Sequence, residues 1–320
     1  MEKILTVENL SVVHLENGVI KRELVRAVNL NVYKGIICAV VGESGSGKSL
    51  TAFSIINLMP SENLKISRGK VFFDGKNLLE LDKEEIRKLR GKEIFLIPQD
   101  PLSALNPVLT IEEQISELFY YHTSLNKKEI RERAVNLLYQ VGIDNPEKRL
   151  KSYPHQLSGG QRQRVLIAMS LALNPKLIIA DEPTTAIDVS LQKGILDTFI
   201  KLRDSFGISF IIITHDFGVV KYVSDYVYVM YGGKVVEEGK KEIIFKNPFH
   251  PYTKGLINSV PSIKVEPKSL LSSIKGTAEI SDYVCPFYER CDEKEELCKT
   301  EVVYLKAEEE HFVLCRKIKY

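Results

Sequence analysis

The chain has 320 residues and a mass of 36.3 kDa, room for about two domains, or one large domain with an appendage, at roughly 150 residues each. Apolar residues make up 44% and charged residues 27%, ordinary globular values that exclude wholesale disorder and fibrous repeats. Lysine plus arginine number 44 against 42 acids, a net charge of +2, which argues against a protein held on nucleic acid mainly by bulk charge.

The first thirty-odd residues alternate polar and apolar, and Gly69 to Asn77 does the same around an Asp-Gly turn, as antiparallel strands at a sheet margin do. Gly35 to Gly42 is instead a continuous β-branched run, the pattern of a strand buried on both faces. Cys38 lies inside it and reads as a small core residue. A glycine-rich turn follows, then helical character from Lys48 to Leu58. Thr110 to Gln156 is mostly helical, with one helix starting at Thr110-Ile-Glu-Glu and another over Lys127 to Val141, ended by Gly142. Helices over Gln161–Leu173 and Ser190–Phe206 then alternate with buried strands over Lys176–Asp181 and Ile208–Thr214. That alternation predicts an α/β fold with helices on both faces of a parallel sheet, interrupted by an all-α insertion. Composition shifts after Gly239, so a domain boundary is expected between residues 1–239 and 240–320. No apolar run approaches the eighteen or so residues of a spanning helix. The start, Met-Glu-Lys-Ile, carries an early acid and does not read as a secretory signal. The expected location is the cytosol, or the cytosolic side of a membrane protein.

Gly42-Glu-Ser44-Gly45-Ser-Gly47-Lys48-Ser49 fits the G-x-x-x-x-G-K-[ST] phosphate loop between strand and helix. Its glycines let backbone N–H groups curl round a polyphosphate at the positive end of the following helix. Lys48 would reach the β- and γ-phosphates and the Ser49 hydroxyl would bind Mg²⁺. Asp181 and Glu182 end a buried strand; Asp181 is placed to hold Mg²⁺ through water and Glu182 to orient or deprotonate the attacking water. Leu157-Ser158-Gly159-Gly160-Gln161 predicts a helix N-cap with a capping box, and its N-terminus also suits an anion. His215 ends the strand Phe210–Thr214, at the carboxyl end where open α/β sheets bind ligands.

In this order, the phosphate loop, Gln99, the motif at 157–161, Asp181-Glu182 and Thr214-His215-Asp216 resemble the ATP-binding cassette family of ATPases over nearly the whole chain. The resemblance implies a cassette with a RecA-like P-loop core, an antiparallel β subdomain and a helical signature subdomain at about 105–160. It implies two cassettes facing head to tail, with Ser158 and Gly160 of one binding the γ-phosphate of an ATP on the other. Gln99 would contact Mg²⁺ and the attacking water, His215 would hold the γ-phosphate, and Asp188 would communicate across the dimer. Ile187 stands where leucine is commoner in the family. The family stacks adenine on an aromatic in the early strand region, where His14 is the nearest match.

Gln99–Thr110 and His250–Pro261 look like the oligopeptide and dipeptide importer branch. The first stretch follows Gln99, where the family docks the permease's coupling helix. The branch implies a second, often different, ATPase subunit, two membrane permease subunits, and an extracytoplasmic solute-binding protein. Cargo in the branch includes peptides, nickel complexes and oligosaccharides.

Cys285, Cys291, Cys298 and Cys315 supply four thiolates, enough for a tetrahedral zinc or a [4Fe–4S] cluster. Similar tails in peptide-importer ATPases are associated with the cluster, here expected to clamp a tail with little apolar core. The acidic run Asp292–Glu296 reads as a solvated face. Two other classes fit parts of the pattern: a soluble cassette ATPase on nucleic acid or ribosomes, and a redox-sensing regulator with the cysteine tail as its primary site.

Overall fold

The alternating start forms two long strands, β1 (Lys3–Glu16) and β2 (Val19–Tyr33), paired antiparallel across Asn17-Gly18. Both turn residues have positive φ, 52° and 80°, which matches the twist of the strands they join. The β-branched run becomes β3 (Ile37–Val41), buried at every residue, and the glycine loop leads into α1 (Lys48–Ile55). β4 (Leu64–Phe73) pairs with β1 and turns through Asp74-Gly75 into the short β5 (Lys76–Asn77). The strand order is β2-β1-β4-β5.

The computed structural model describes residues 2–185, 188–259, 274, 276–277, 281–302, 304–308 and 310–317. They fall into two compact units, Glu80–Ile212 and Glu2–Leu79 with Ile213–Tyr320. The first is called the helical unit here and the second the sheet unit.

In the helical unit, α2 (Lys83–Leu89) precedes β6 (Ile94–Ile97) and the single turn α3 (Pro101–Ala104). The predicted insertion forms α4 (Ile111–His122), α5 (Lys127–Gln140) and α6 (Pro146–Leu150), which pack on one another and on α7 (Gly159–Leu171). Thr110, Asn126 and Ser158 each accept from an N3 backbone N–H while the N3 side chain returns the bond. β7 (Leu177–Asp181) runs parallel to β6, then α8 (Val189–Phe206) follows. The chain passes between units within β8 (Ser209–Thr214).

Back in the sheet unit come α9 (Phe217–Val223), β9 (Tyr226–Tyr231), β10 (Lys234–Lys240), α10 (Lys241–Lys246) and α11 (Pro251–Asn258). β3 is parallel to β9, and β9 and β10 form a hairpin over Gly232-Gly233. The cysteine segment then adds β11 (Tyr304–Glu308) and β12 (His311–Leu314), with β12 antiparallel to β10.

Residues 239 and 240 both lie in β10, and residues on both sides share one compact unit. The tail was expected to have little apolar core, yet Phe287, Tyr288, Cys285 and Leu314 are buried with Tyr231, Tyr252, Val220 and Phe217. Aromatic residues spaced irregularly along the tail carry no strand or helix period, so the core they form is invisible to periodicity.

Candidate nucleotide site and cysteine centre

The phosphate loop follows β3 directly. A Cβ on Gly42 would stand 2.1 Å from the Met230 carbonyl oxygen, so only glycine leaves β3 room to turn there. Gly45 and Gly47 take φ of 80° and 99° and close the loop onto α1. Lys48, 5% exposed, donates from Nζ to the Gly42 and Glu43 carbonyls at 2.8 Å each and to Ser46 Oγ at 3.4 Å. Its ammonium thus lies inside the loop's curve. Ser44 and Gly45 face solvent and Ser49 is half-buried on the first turn of α1.

His215 is the first residue after β8 and is exposed. The turn that presents it is built by its neighbours: Asp216 N–H donates to Thr214 Oγ1 at 3.0 Å, and Asp216 Oδ1 accepts from Gly218 N–H at 2.6 Å to cap α9. His14 sits in β1 between Arg22 of β2 and Leu64 of β4, half-buried.

In the helical unit, Asp181 is the buried last residue of β7. Glu182, 9% exposed, has a φ of 45°, a conformation side chains resist and that functional residues often hold. Its Oε2 accepts from Gln99 Nε2 at 3.1 Å and from Thr185 Oγ1 at 2.8 Å. Gln99, just beyond β6, is thus held against the acid. Thr185 was missed: four residues past the end of β7 and three past Glu182, its hydroxyl donates back to the carboxylate. Ser158 caps α7 through Gln161 N–H at 3.3 Å, and Gly160 is buried in its first turn. Asp188 is exposed at the N-cap of α8 without a side-chain cap, and Ile187 lies outside the described residues. An open groove of about 600 Å³ in this unit is bordered by Arg87, Arg90, Ala104, Asn106, Leu109 and Tyr121.

The four tail cysteines line one pocket with Phe287 and Tyr288. Burial pushes the Cys285 thiol up to about 12 and raises Cys291 and Cys315 as well, and neighbouring thiols push further in the same direction. Such thiols stay protonated unless a cation compensates the charge. The soft donor set suits zinc or iron–sulfur. Among the described residues, however, no three His, Cys, Asp or Glu side chains are arranged to hold a metal ion. Cys38 is buried in β3, as expected of a core residue. Asp292–Glu296 is exposed.

Phe287, which lines the pocket, meets Tyr231 edge to face and Tyr252 at a tilt, and Tyr231 meets Tyr252 edge to face, with centroids 4.7–5.4 Å apart. Burial lowers the His250 imidazole to about 4, which keeps it neutral as the acceptor for Tyr252 N–H at 3.1 Å. Glu237, in β10, accepts from the Phe249 and His250 N–H groups and meets His311 of β12 at 2.8 Å, pinning the tail's last strand.

A phosphate loop between a buried strand and a helix defines the P-loop nucleoside-triphosphate-binding class. Comparison with known proteins narrows it. Residues 25–185 match the family model described as ABC transporter, and residues 236–298 match that of the oligopeptide/dipeptide transporter C-terminal region. The dipeptide transport ATP-binding protein DppD of Bacillus subtilis (strain 168) is 45% identical over 301 residues, 93% of this chain and 89% of the relative. The oligopeptide transport ATP-binding protein OppD of the same organism is 48% identical over 255 residues, 80% and 71% of the two chains. Among solved structures, the dimeric ATP-binding cassette MJ0796 in a post-hydrolysis state bound to ADP and Pi has a TM-score of 0.66 at 30% identity, covering 74% of this chain and 98% of its own. The chain belongs to the ABC transporter family of ATP-binding proteins and carries its oligopeptide/dipeptide transporter C-terminal region. No helix among the described residues is long and apolar enough to cross a membrane.

Proposed function

We propose that this chain is the ATP-hydrolysing subunit that powers peptide import through a membrane ABC permease, working on the cytoplasmic side of the cell membrane. The joint match of a cassette and a peptide-transporter C-terminal region in one chain carries the reading. The loop residues Gly42, Ser44, Gly45 and Gly47 wrap the phosphates, with Lys48 reaching the β- and γ-oxygens. Ser49, Gln99 and Asp181 hold Mg²⁺. Glu182 is the general base, and its Oε2 is already fixed by Gln99 and Thr185, which leaves the carboxylate little orientational freedom to lose. His215 contacts the γ-phosphate, and His14 borders the adenine.

Ser158 and Gly160 act on the ATP of a second cassette, with Asp188 facing the same interface. That second cassette is a related ATPase subunit, the pair resting on two permease subunits fed by a solute-binding protein. The groove bordered by Ala104, Asn106 and Leu109 supports a seat for the permease's coupling helix, since its wall is the loop that follows Gln99. The soft donor set of Cys285, Cys291, Cys298 and Cys315 supports a [4Fe–4S] clamp on the tail, or zinc in its place, which would require these side chains to draw together from their present arrangement. Anaerobic purification should give about four iron and four acid-labile sulfide per chain, and absence of any metal rejects the clamp.

Glu182→Gln tests the engine. ATP binding should persist while turnover falls on the order of 10²–10⁴-fold, the usual worth of a general base. Turnover within a few-fold of the parent would refute the role of Glu182.

A further inference from the structure

Glu43 is the second residue of the phosphate loop and has no part in the chemistry above, yet each polar group it carries is engaged. Its N–H donates to Tyr252 Oη at 2.8 Å, and its carbonyl accepts from Lys48 Nζ at 2.8 Å. Its carboxylate takes a fork of two hydrogen bonds from Arg290, at 2.6 Å from Nη1 and 3.1 Å from Nη2. Bidentate guanidinium–carboxylate pairs are the strong, direction-setting kind.

Arg290 comes from the cysteine segment and immediately precedes Cys291. Its side chain is 8% exposed, against 27% for Glu43. The guanidinium lies over the Tyr231 and Phe287 rings at 5.6 and 5.9 Å and donates also to Tyr231 Oη and the Ile274 carbonyl. Two ring contacts and four acceptors hold the guanidinium. A second tie runs in parallel. Pro286 packs on Gly232, where a Cβ would come within 2.8 Å of Pro286 Cβ, and the adjoining Gly233 N–H donates to the Ser46 carbonyl at 3.1 Å.

We infer that Arg290 is a positioning residue for the nucleotide site: it fixes Glu43, and through the Glu43 carbonyl the Lys48 ammonium, so that order in the cysteine segment sets the loop's affinity for MgATP. The inference rests on reading residues 42–49 as the ATP loop. Coupling of this kind is reciprocal, so occupancy of the loop also stabilises the segment that holds Arg290.

The test measures the Kd for MgATP on the full-length chain by displacement of a fluorescent ATP analogue, well below each variant's unfolding temperature. Arg290→Met and Glu43→Gln should each weaken binding about tenfold, equivalent to about 1.4 kcal/mol. The double variant should be no weaker than either single one, because both remove the same contact. Arg290→Lys should fall between, since one ammonium cannot span both carboxylate oxygens. Lys299→Met cuts an ion pair with Glu296 in the same segment without touching the loop, and should bind as the parent does. A purely architectural Arg290 would lower the unfolding temperature and leave Kd unchanged. That result, additive losses in the double variant, or weakened binding by Lys299→Met overturns the inference. Glu43→Gln, nearly isosteric, keeps the test decisive if Arg290→Met does not fold. Lys48→Ala must abolish binding; if it does not, the assignment of the loop itself fails, and the inference with it.

Discussion

The phosphate loop and the cysteine segment both hold irregular backbone in one conformation, and they do so by opposite means. The loop takes most of its order locally: glycines at 42, 45 and 47 shape the turns and Lys48 satisfies the carbonyls from inside, with outside ties at Glu43 and the Ser46 carbonyl. The segment borrows its order from elsewhere in the sheet unit. Phe287 and Tyr288 insert into a core built by Tyr231 and Tyr252, while Arg26 and Lys234 reach across to the Ser281 and Val284 carbonyls at 2.6 and 2.7 Å. A loop made mainly of local bonds feels distant change only where an outside group reaches it, at Glu43 above all. A segment made of borrowed contacts reports any change in its lenders, and Arg290 passes that report to Glu43.

The largest break in this contrast should come from Phe287→Ala. Phe287 is buried and touches the Tyr231, Tyr252 and His250 rings at once. Removing it should cost about 3–5 kcal/mol of unfolding free energy, the range for deleting a buried aromatic. Denaturant unfolding measures the loss, and a cost below about 1 kcal/mol would mean that the segment's aromatic core does not order it.

The same contrast explains what the sequence disclosed. The phosphate loop was legible because its motif is made of consecutive neighbours. Ser158 and Gln161, or Asp181 and Glu182, are likewise within one turn or one strand end. Gln99 and Glu182 are 83 positions apart, and only their motif order related them before the hydrogen bond did. Arg290 and Glu43 are 247 apart with no motif to join them, and the pair went unseen. The cysteines declared themselves by residue type, whereas the aromatic core around them, and the two strands that extend the sheet through β10, follow from tertiary pairing that has no period. Thr185 stood in plain sight beside Glu182, but a threonine after a strand is common enough to carry no signal.

Glu238 gives a smaller effect with a defined pH signature, in the region where the tail's strands join the sheet. Burial beside β10's neighbours pushes its carboxyl up to about 7, against hydrogen bonds from Tyr304 and Tyr226 that pull it down. Between its ordinary range near 4.5 and about 7, the folded chain binds the extra proton, so this group's contribution to stability falls as pH rises through that window. Above pH 7 a charged carboxylate is retained at a cost of about 3 kcal/mol. Glu238→Gln should therefore raise the unfolding temperature by a few degrees at pH 8 and make little difference at pH 4. An equal gain at both pH values would place its origin in packing instead of ionisation.

The finest probe is one oxygen. Tyr252→Phe leaves the ring in its aromatic cluster and removes only the acceptor for Glu43 N–H. The loss should be about 1 kcal/mol of stability, the net worth of one neutral hydrogen bond. MgATP binding should weaken by only a few-fold, less than for Arg290→Met, because a neutral hydrogen bond is worth roughly half a charge-assisted one. Calorimetric unfolding and the same displacement assay check both numbers. If Tyr252→Phe weakened MgATP more than Arg290→Met, the backbone anchor would be the dominant link between loop and segment, and the guanidinium fork the secondary one. If neither moved the affinity, the loop would be as self-sufficient as its own hydrogen bonds make it look.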